Sequence, residues 1–429
     1  MNEPRAAGRR IGVDAREILI TDDGPMLVSG PVQIVLPDGS RVRSDRPVTA
    51  LCVCRRSKHQ PFCDTSHRRR VRPAPEPTSE SYRPPRRTML STTPRRLEPP
   101  LLPEPRGPLS EAVINLLRAD GPTVLPACDD ADPYGGDLQL ALYCCYELHY
   151  RGFASVDDER EWDPVLLGLR RDLEALFLSA LRADVEPGTD VSAEIDALLL
   201  EPLDATGVSH HLRRDGQLWQ LREYVAHRSI YHLKEADPQA WVIPRLSGAA
   251  KAALVTVEHD EYGAGDPDRM HAQLFADMMA ELGLCDAYGS YLDAVPGATL
   301  AEVNLMSLCG LHRSLRGALI GQFATVELTS SPGSDRLVRA MRRLDCGPAA
   351  IGFYDEHVEA DAVHEQIIRR GVLAPLLADE PELAADVVFG IRASLLLGER
   401  LSDLLLSCWS RDESSLRVPL APPARSSEL

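Results

Sequence analysis

Residues 353–364 set Asp355, Glu356, His357, Glu359, Asp361 and His364 among Phe, Tyr, Val and Ala, with no glycine or proline before residue 368. Such a run can only be helix. At roughly 100° per residue, Asp361 falls about 40° from His357 on the helix wheel, and His364 about 20° from it on the other side. Two imidazoles and a carboxylate therefore share one face over two turns. That donor mixture suits a divalent iron, manganese or zinc ion. Taken alone, H-x-x-x-D-x-x-H also describes a solvated polar face, so its meaning depends on partners elsewhere in the chain.

The chain has 429 residues, enough for two or three domains and a sizeable core. No run of about 18 apolar residues is present, so no membrane span is expected. Residues 1–5, Met-Asn-Glu-Pro-Arg, lack an apolar signal core, and the expected compartment is the cytoplasm. Ten cysteines occur, at 52, 54, 63, 128, 144, 145, 285, 309, 346 and 408. Three cluster and seven scatter, which points to one cysteine-based metal site plus reduced thiols, not a disulfide framework. The net charge of −17 is uneven: residues 1–70 hold 13 Lys/Arg against 8 Asp/Glu, residues 71–107 hold 7 against 4, and the rest nets −25. A basic front and an acidic body attract each other, and the acidic body argues against nucleic acid as partner.

Short apolar runs at 18–20, 26–28, 32–36 and 48–51 alternate with turn signals such as Asp23-Gly24-Pro25, Ser29-Gly30-Pro31 and Asp38-Gly39. They predict a small β-rich module. It leads into Cys52, Cys54, Cys63 and His67, four donors within sixteen residues that suit zinc or an iron–sulfur cluster. The spacing C-x-C-x2-S-x3-P-x-C-D-x-S-H resembles the CDGSH family. That resemblance implies a [2Fe–2S] cluster on Cys52, Cys54, Cys63 and His67, with Ser57, Pro61, Phe62, Asp64 and Ser66 also matching. Thr65 stands where the family has glycine. If that position takes positive φ, a β-branched residue is strained there. A zinc knuckle is the plainer alternative.

Residues 71–108 are rich in Pro, Ser, Thr and Arg and predict an extended linker. The remainder, 109–429, reads as an all-α bundle, with 109–205 as a possible extra N-terminal layer. Helices are expected at 110–118, 137–151, 162–183, 192–201, 217–236, 238–262, 267–283, 299–329, 335–344, 348–369 and 383–408.

Helical bundles build carboxylate-and-histidine iron sites from facing helices. Glu327 lies in an apolar helical run, where a lone Glu is costly to bury without a partner. His271 follows Asp266-Pro267, an N-cap and N1 pair. Glu258, Asp260 and Glu261 end the preceding helix, and Glu235 ends the one before that. This series is similar to the haem-oxygenase-like di-iron oxidases and oxygenases. The resemblance, over about 210–370, implies Glu261, His271, Glu327, His357, Asp361 and His364 as iron ligands, with Glu327 as the natural bridge. Glu235 matches a further carboxylate of the members that oxygenate nitrogen.

Plainer readings apply to the rest. Glu258 competes with Glu261, while His259, His312 and Glu359 read as supporting or solvated. Glu147 and His149 sit at i and i+2 and diverge on a helix, Cys144 and Cys145 read as core thiols, and Arg313 and Arg316 could meet a substrate carboxylate or acidic neighbours.

The expectation is a mainly α protein in which a β-rich CDGSH-like module precedes a haem-oxygenase-like bundle. It would be an O2-dependent non-haem di-iron oxygenase or oxidase holding two Fe(II) ions. Its substrate would be a small amine-, amino-acid- or fatty-acid-like molecule, with N-oxygenation preferred over C–C cleavage. The [2Fe–2S] centre would donate electrons, fed by a reductase, and the resemblance favours a homodimer. The rival readings are a redox-sensing or electron-transfer protein with a non-catalytic helical body, and a haem binder, against which the dense donor set argues.

Overall fold

The computed structural model describes residues 18–21, 24–36, 39–68, 98–118, 126–128, 130–202 and 205–420. Strands β1 (Ile18–Ile20), β2 (Met26–Ser29) and β5 (Val48–Leu51) form an antiparallel sheet in the order β1-β2-β5. Strands β3 (Val32–Val35) and β4 (Arg41–Ser44) form a hairpin. The run Arg41-Val42-Arg43-Ser44 was not expected as a strand, because two arginines mask its alternation; it forms because β3 pairs with it across Val32↔Ser44 and Val35↔Arg41. Of the expected linker (71–108), residues 71–97 lie outside the described residues. Residues 98–107 are fastened to the helical body, with Glu104 N donating to Asp293 Oδ1 (2.9 Å) and Arg106 Nη2 to Leu292 O (2.7 Å).

The body begins with α1 (Pro108–Arg118), α2 (Gly136–Glu147), α3 (Pro164–Asp184) and α4 (Val191–Leu198). It continues with α5 (Val208–Arg214), α6 (Leu218–His232), α7 (Asp237–Ala240), α8 (Gly248–Glu261) and α9 (His271–Glu281). The last five are α10 (Gly297–Leu311), α11 (Arg316–Arg343), α12 (Pro348–Gln366), α13 (Ala374–Asp379) and α14 (Ala384–Trp409). No described helix is long and apolar enough to cross a membrane. Helices α11 and α14 touch through their backbones: a Cβ at Gly321 would meet Val387 O at 2.0 Å, and one at Gly390 would meet Ala318 O at 2.0 Å.

Three expected boundaries move, each for a physical reason. The expected 238–262 helix breaks at Pro244 and at Gly248, whose φ of +54° suits glycine. The expected 299–329 helix ends at Leu311, where the Arg245 guanidinium caps the carbonyls of Gly310 and Leu311. Conversely, α11 runs straight through Pro332. Proline there leaves Leu328 O without its helical donor. Arg68 Nη1, from the β module, donates to that oxygen at 2.7 Å.

The β module sits on α12. Leu27, Ala50 and Cys63 pack against Ala362 and Val363, the two residues between Asp361 and His364. The basic front and the acidic body meet there in buried ion pairs: Arg46 with Asp260 (2.8 Å) and Glu356 (2.6 Å), and Arg68 with Glu365.

Candidate metal centres

In the β module, backbone bonds Cys52 N to Pro61 O and Cys63 N to Ala50 O, each 2.9 Å, fold the second donor segment back onto the first. Asp64 fixes the loop by accepting from Lys58 N (2.9 Å) and Ser66 N (3.0 Å). The four donors come in two pairs. Cys52 Sγ and Cys54 Sγ are 3.6 Å apart, and so are Cys63 Sγ and His67 Nδ1. The backbone N–H groups of Arg56 and Thr65 donate to the Cys54 and Cys63 sulfurs, with N···S distances of 3.4 Å each. Thr65 has φ +59°, the left-handed conformation that a glycine takes freely. Its hydroxyl lies 3.4 Å from Ser331 Oγ of α11.

In the helical body, seven predicted side chains converge in two buried groups. Glu235, Glu261, His271 and His357 form one; Glu261, Glu327, Asp361 and His364 form the other; within each, ligand atoms lie within 4.8 Å of one another. Glu261, and not Glu327, stands in both. All seven are buried. Glu235 was expected at a helix end and lies in the turn that follows α6, whose Ala236 has φ +73°. His271 is the first residue of α9; Asp266 caps a short 3₁₀ turn ahead of it, not the helix. Helix α12 continues after Gln366 as a π-helical stretch, Ile367–Leu373, a distortion frequent beside functional sites.

The donor atoms aim at shared space more than at each other. His357 Nδ1 donates to Phe353 O (2.7 Å), which leaves Nε2 to face the first group; that nitrogen has no hydrogen-bond partner. His271 Nδ1 lies 2.7 Å from Glu261 Oε2, yet neither of its ring nitrogens is aligned for a hydrogen bond, and Glu235 Oε2 is equally unpartnered. His364 Nδ1 faces Glu327 (3.0 Å), Glu261 (3.2 Å) and Asp361 (3.6 Å), while its Nε2 is held by Asp260 at 3.1 Å. Supporting groups orient the carboxylates: His232 Nδ1 on Glu235 (2.7 Å) and Ser330 Oγ on Asp361. Buried donors that converge while His357 Nε2, both His271 nitrogens and Glu235 Oε2 stay without a hydrogen bond fit a metal, because an unpaired polar atom in the interior is otherwise costly.

The electrostatics agree. Burial opposes charge on His357, but Asp361 and Glu235 outweigh it and push that imidazole up to about 10. Burial would likewise keep Glu261 neutral, yet His271 and His364 hold it down to about 2. Glu327 is pushed up to about 7 by burial, only partly offset by His364. Without an ion, the imidazoles neutralise the carboxylates; an ion would take over that positive charge.

The remaining candidates are placed elsewhere. Glu258 is buried with both carboxylate oxygens unpartnered, and burial raises it well above the carboxylate range; it is not in either group. His259 is exposed, His312 pairs with Glu174 (2.9 Å), and Glu359 lies near Arg46. Arg316 pairs with Glu380, and Arg313 is exposed. Glu147 is fully buried, accepting from Lys234 Nζ (2.9 Å) and Tyr288, and His149 pairs with Glu161 (2.6 Å). The α1–α4 layer thus anchors Lys234, the neighbour of Glu235. Cys144 and Cys145 are buried thiols. Sequence reasoning named Asp260 without a role and passed over His232, Ser330 and Arg46. Only His232, three residues before Glu235, offered a local signal.

A cavity of about 350 Å³ opens on both groups. Glu235, Glu261, Glu327, His357 and Asp361 line it together with Tyr224, Arg228, Glu302 and Tyr354, with Arg228 and Glu302 paired at 2.9 Å.

Residues 222–399 match the family model described as iron-containing redox enzyme, and residues 23–68 match that described as iron-binding zinc finger of CDGSH type. No curated protein matches the chain. The first span contains all seven converging residues and the second all four cluster donors. Residues 23–68 are thus similar to CDGSH-type iron-binding modules and residues 222–399 to haem-oxygenase-like iron-containing redox enzymes, and together the two matches support an iron-dependent redox function.

Proposed function

We propose that the helical domain is a non-haem di-iron oxygenase or oxidase and that the CDGSH module carries a [2Fe–2S] cluster that feeds it electrons. The observation that carries this reading is the pair of His/carboxylate groups sharing Glu261 on the wall of a cavity. Glu235, Glu261, His271 and His357 would hold one iron, and Glu261, Glu327, Asp361 and His364 the other, with Glu261 common to both. Iron bound there supplies the reduction of O2 and the oxidation of the substrate. The protein's own part is positional. Phe353 O and Asp260 fix the tautomers of His357 and His364, so that Nε2 of one and Nδ1 of the other face the ions. The substrate would occupy the cavity, which Arg228 and Glu302 line alongside Glu235 and His357. Glu235 within the first group supports N-oxygenation of a small amine or amino-acid-like substrate over C–C cleavage.

The paired donors of the β module suit a two-iron cluster, in which each iron takes two protein ligands. Cys63 packs on Ala362 and Val363 of the helix that bears Asp361 and His364, which supports electron delivery within the chain. A reductase would recharge the cluster. Two experiments test this. Ferrous protein should consume O2 rapidly, and inertness would favour a non-catalytic body. Cys63→Ser protein with its helical iron retained should stop turning over with the native reductant; normal turnover would remove the electron-donor role.

A further inference from the structure

Two arginines hold the β module on the helical body, and every group they grip is the chain neighbour of a residue in the metal groups. Arg46, in the turn between β4 and β5, is buried and donates from Nη1 to Asp260 Oδ2 (2.8 Å) and from Nη2 to Glu356 Oε1 (2.6 Å). Asp260 precedes Glu261 on α8, and Glu356 precedes His357 on α12. Arg68 donates from Nη1 to Leu328 O (2.7 Å) and pairs with Glu365. Leu328 follows Glu327 on α11, and Glu365 follows His364 on α12. Leu328 O is available only because Pro332 withholds the helical N–H that would otherwise take it. Asp260 Oδ2 also accepts from His364 Nε2 at 3.1 Å, so a continuous chain of hydrogen bonds runs Arg46–Asp260–His364.

We propose that the CDGSH module is a clamp on the metal centre as well as an electron donor: Arg46 and Arg68 are positioning residues that hold α8, α11 and α12 at the spacing the shared ligand groups need. This deepens the di-iron reading and rests on it. A guanidinium is suited to the task, because its planar fork gives each acceptor its own nitrogen in a fixed direction, whereas an ammonium must share one nitrogen between both. Without Arg46, Asp260 loses its guanidinium partner and keeps only His364, whose orientation then rests on a less firmly held carboxylate. Outer partners of metal ligands commonly alter affinity by about 10- to 100-fold. Linkage makes the coupling reciprocal, so metal loading should also tighten seating of the module.

The test uses full-length protein with its cluster intact and Mn(II), which binds without turning over, as the probe. Wild type should take up two Mn(II) per chain and show the EPR signature of an exchange-coupled pair. Arg46→Gln and Arg68→Gln should each weaken uptake by about 10-fold or more and replace the coupled signal with that of isolated ions. Arg46→Lys, with a single nitrogen for both acceptors, should fall between. Arg43→Ala, on the exposed surface beside Asp45, serves as the control and should match wild type. Cluster absorbance reports that the module stays folded in every variant. Hydrogen exchange over 24–68 should slow in wild type when Mn(II) is added, and should not in Arg46→Gln. Unchanged affinity and an unchanged coupled signal in both glutamine variants would overturn the clamp and leave the di-iron reading standing. Failure of wild type to bind Mn(II) or Fe(II) pairs at all would overturn both.

Discussion

At the scale of single residues, buried polar groups are satisfied in ways that serve the site. Thr65 holds a left-handed φ that costs a β-branched residue about 1–2 kcal/mol. Its hydroxyl against Ser331, at the seam between module and helices, offsets part of that. Thr65→Val keeps the strain and loses the hydroxyl, whereas Thr65→Gly loses both. Denaturant unfolding should therefore find the Gly variant more stable than the Val variant by about 1–2 kcal/mol. The Lys234–Glu147 pair is fully enclosed, with the ammonium also 4.2 Å from the centre of the Tyr150 ring. Glu147→Gln leaves that ammonium without its counter-charge and should cost about 3 kcal/mol in urea unfolding. Because Lys234 adjoins Glu235, the same variant should also weaken the first metal group, seen as reduced metal uptake.

At the scale of elements, α6 shows how a helix is tied down by groups remote in sequence. His227 is buried between Thr299 Oγ1 (2.7 Å) and Ser415 Oγ (3.0 Å), and burial lowers its pKa to about 3, with Arg228 adding to the effect. Above pH 6.5, the ring is neutral both folded and unfolded, and pH has no leverage through it. Below that, the unfolded chain binds a proton that the folded chain refuses. Stability then falls by at most about 1.4 kcal/mol per pH unit until the folded pKa is reached. His227→Gln, which can still bond both hydroxyls, should flatten the stability profile between about pH 6 and about pH 4; an unaltered slope there would show that His227 does not govern it. Elements also explain what could be read in advance. His357, Asp361 and His364 were legible because helical period fixes their face, and the paired cysteines because their spacing is local. The Arg46–Asp260 and Arg68–Leu328 contacts were not, since they join residues more than 200 positions apart and carry no periodic signal. Glu261 as the common residue was also hidden. Spacing placed it on a helix end beside two other acids, and only the packing of α8 against the π-helical stretch after α12 selects it.

At the scale of the whole molecule, two iron modules meet on one helix. One face of α12 carries His357, Asp361 and His364 into the bundle, and residues between them support Cys63 of the cluster module. The basic front of the chain lands on its acidic body through Arg46 and Arg68, so charge segregation along the sequence becomes an interface in the fold. The measurement that tests this most directly is iron and sulfide content with Mössbauer spectra, on anaerobically reconstituted wild type and on the His357→Ala/His364→Ala double variant. The account predicts about four irons and about two sulfides per chain in wild type, and loss of only the sulfide-free irons in the variant. About two irons and two sulfides in both proteins, even with excess ferrous iron, would contradict it and leave the cluster as the chain's only iron.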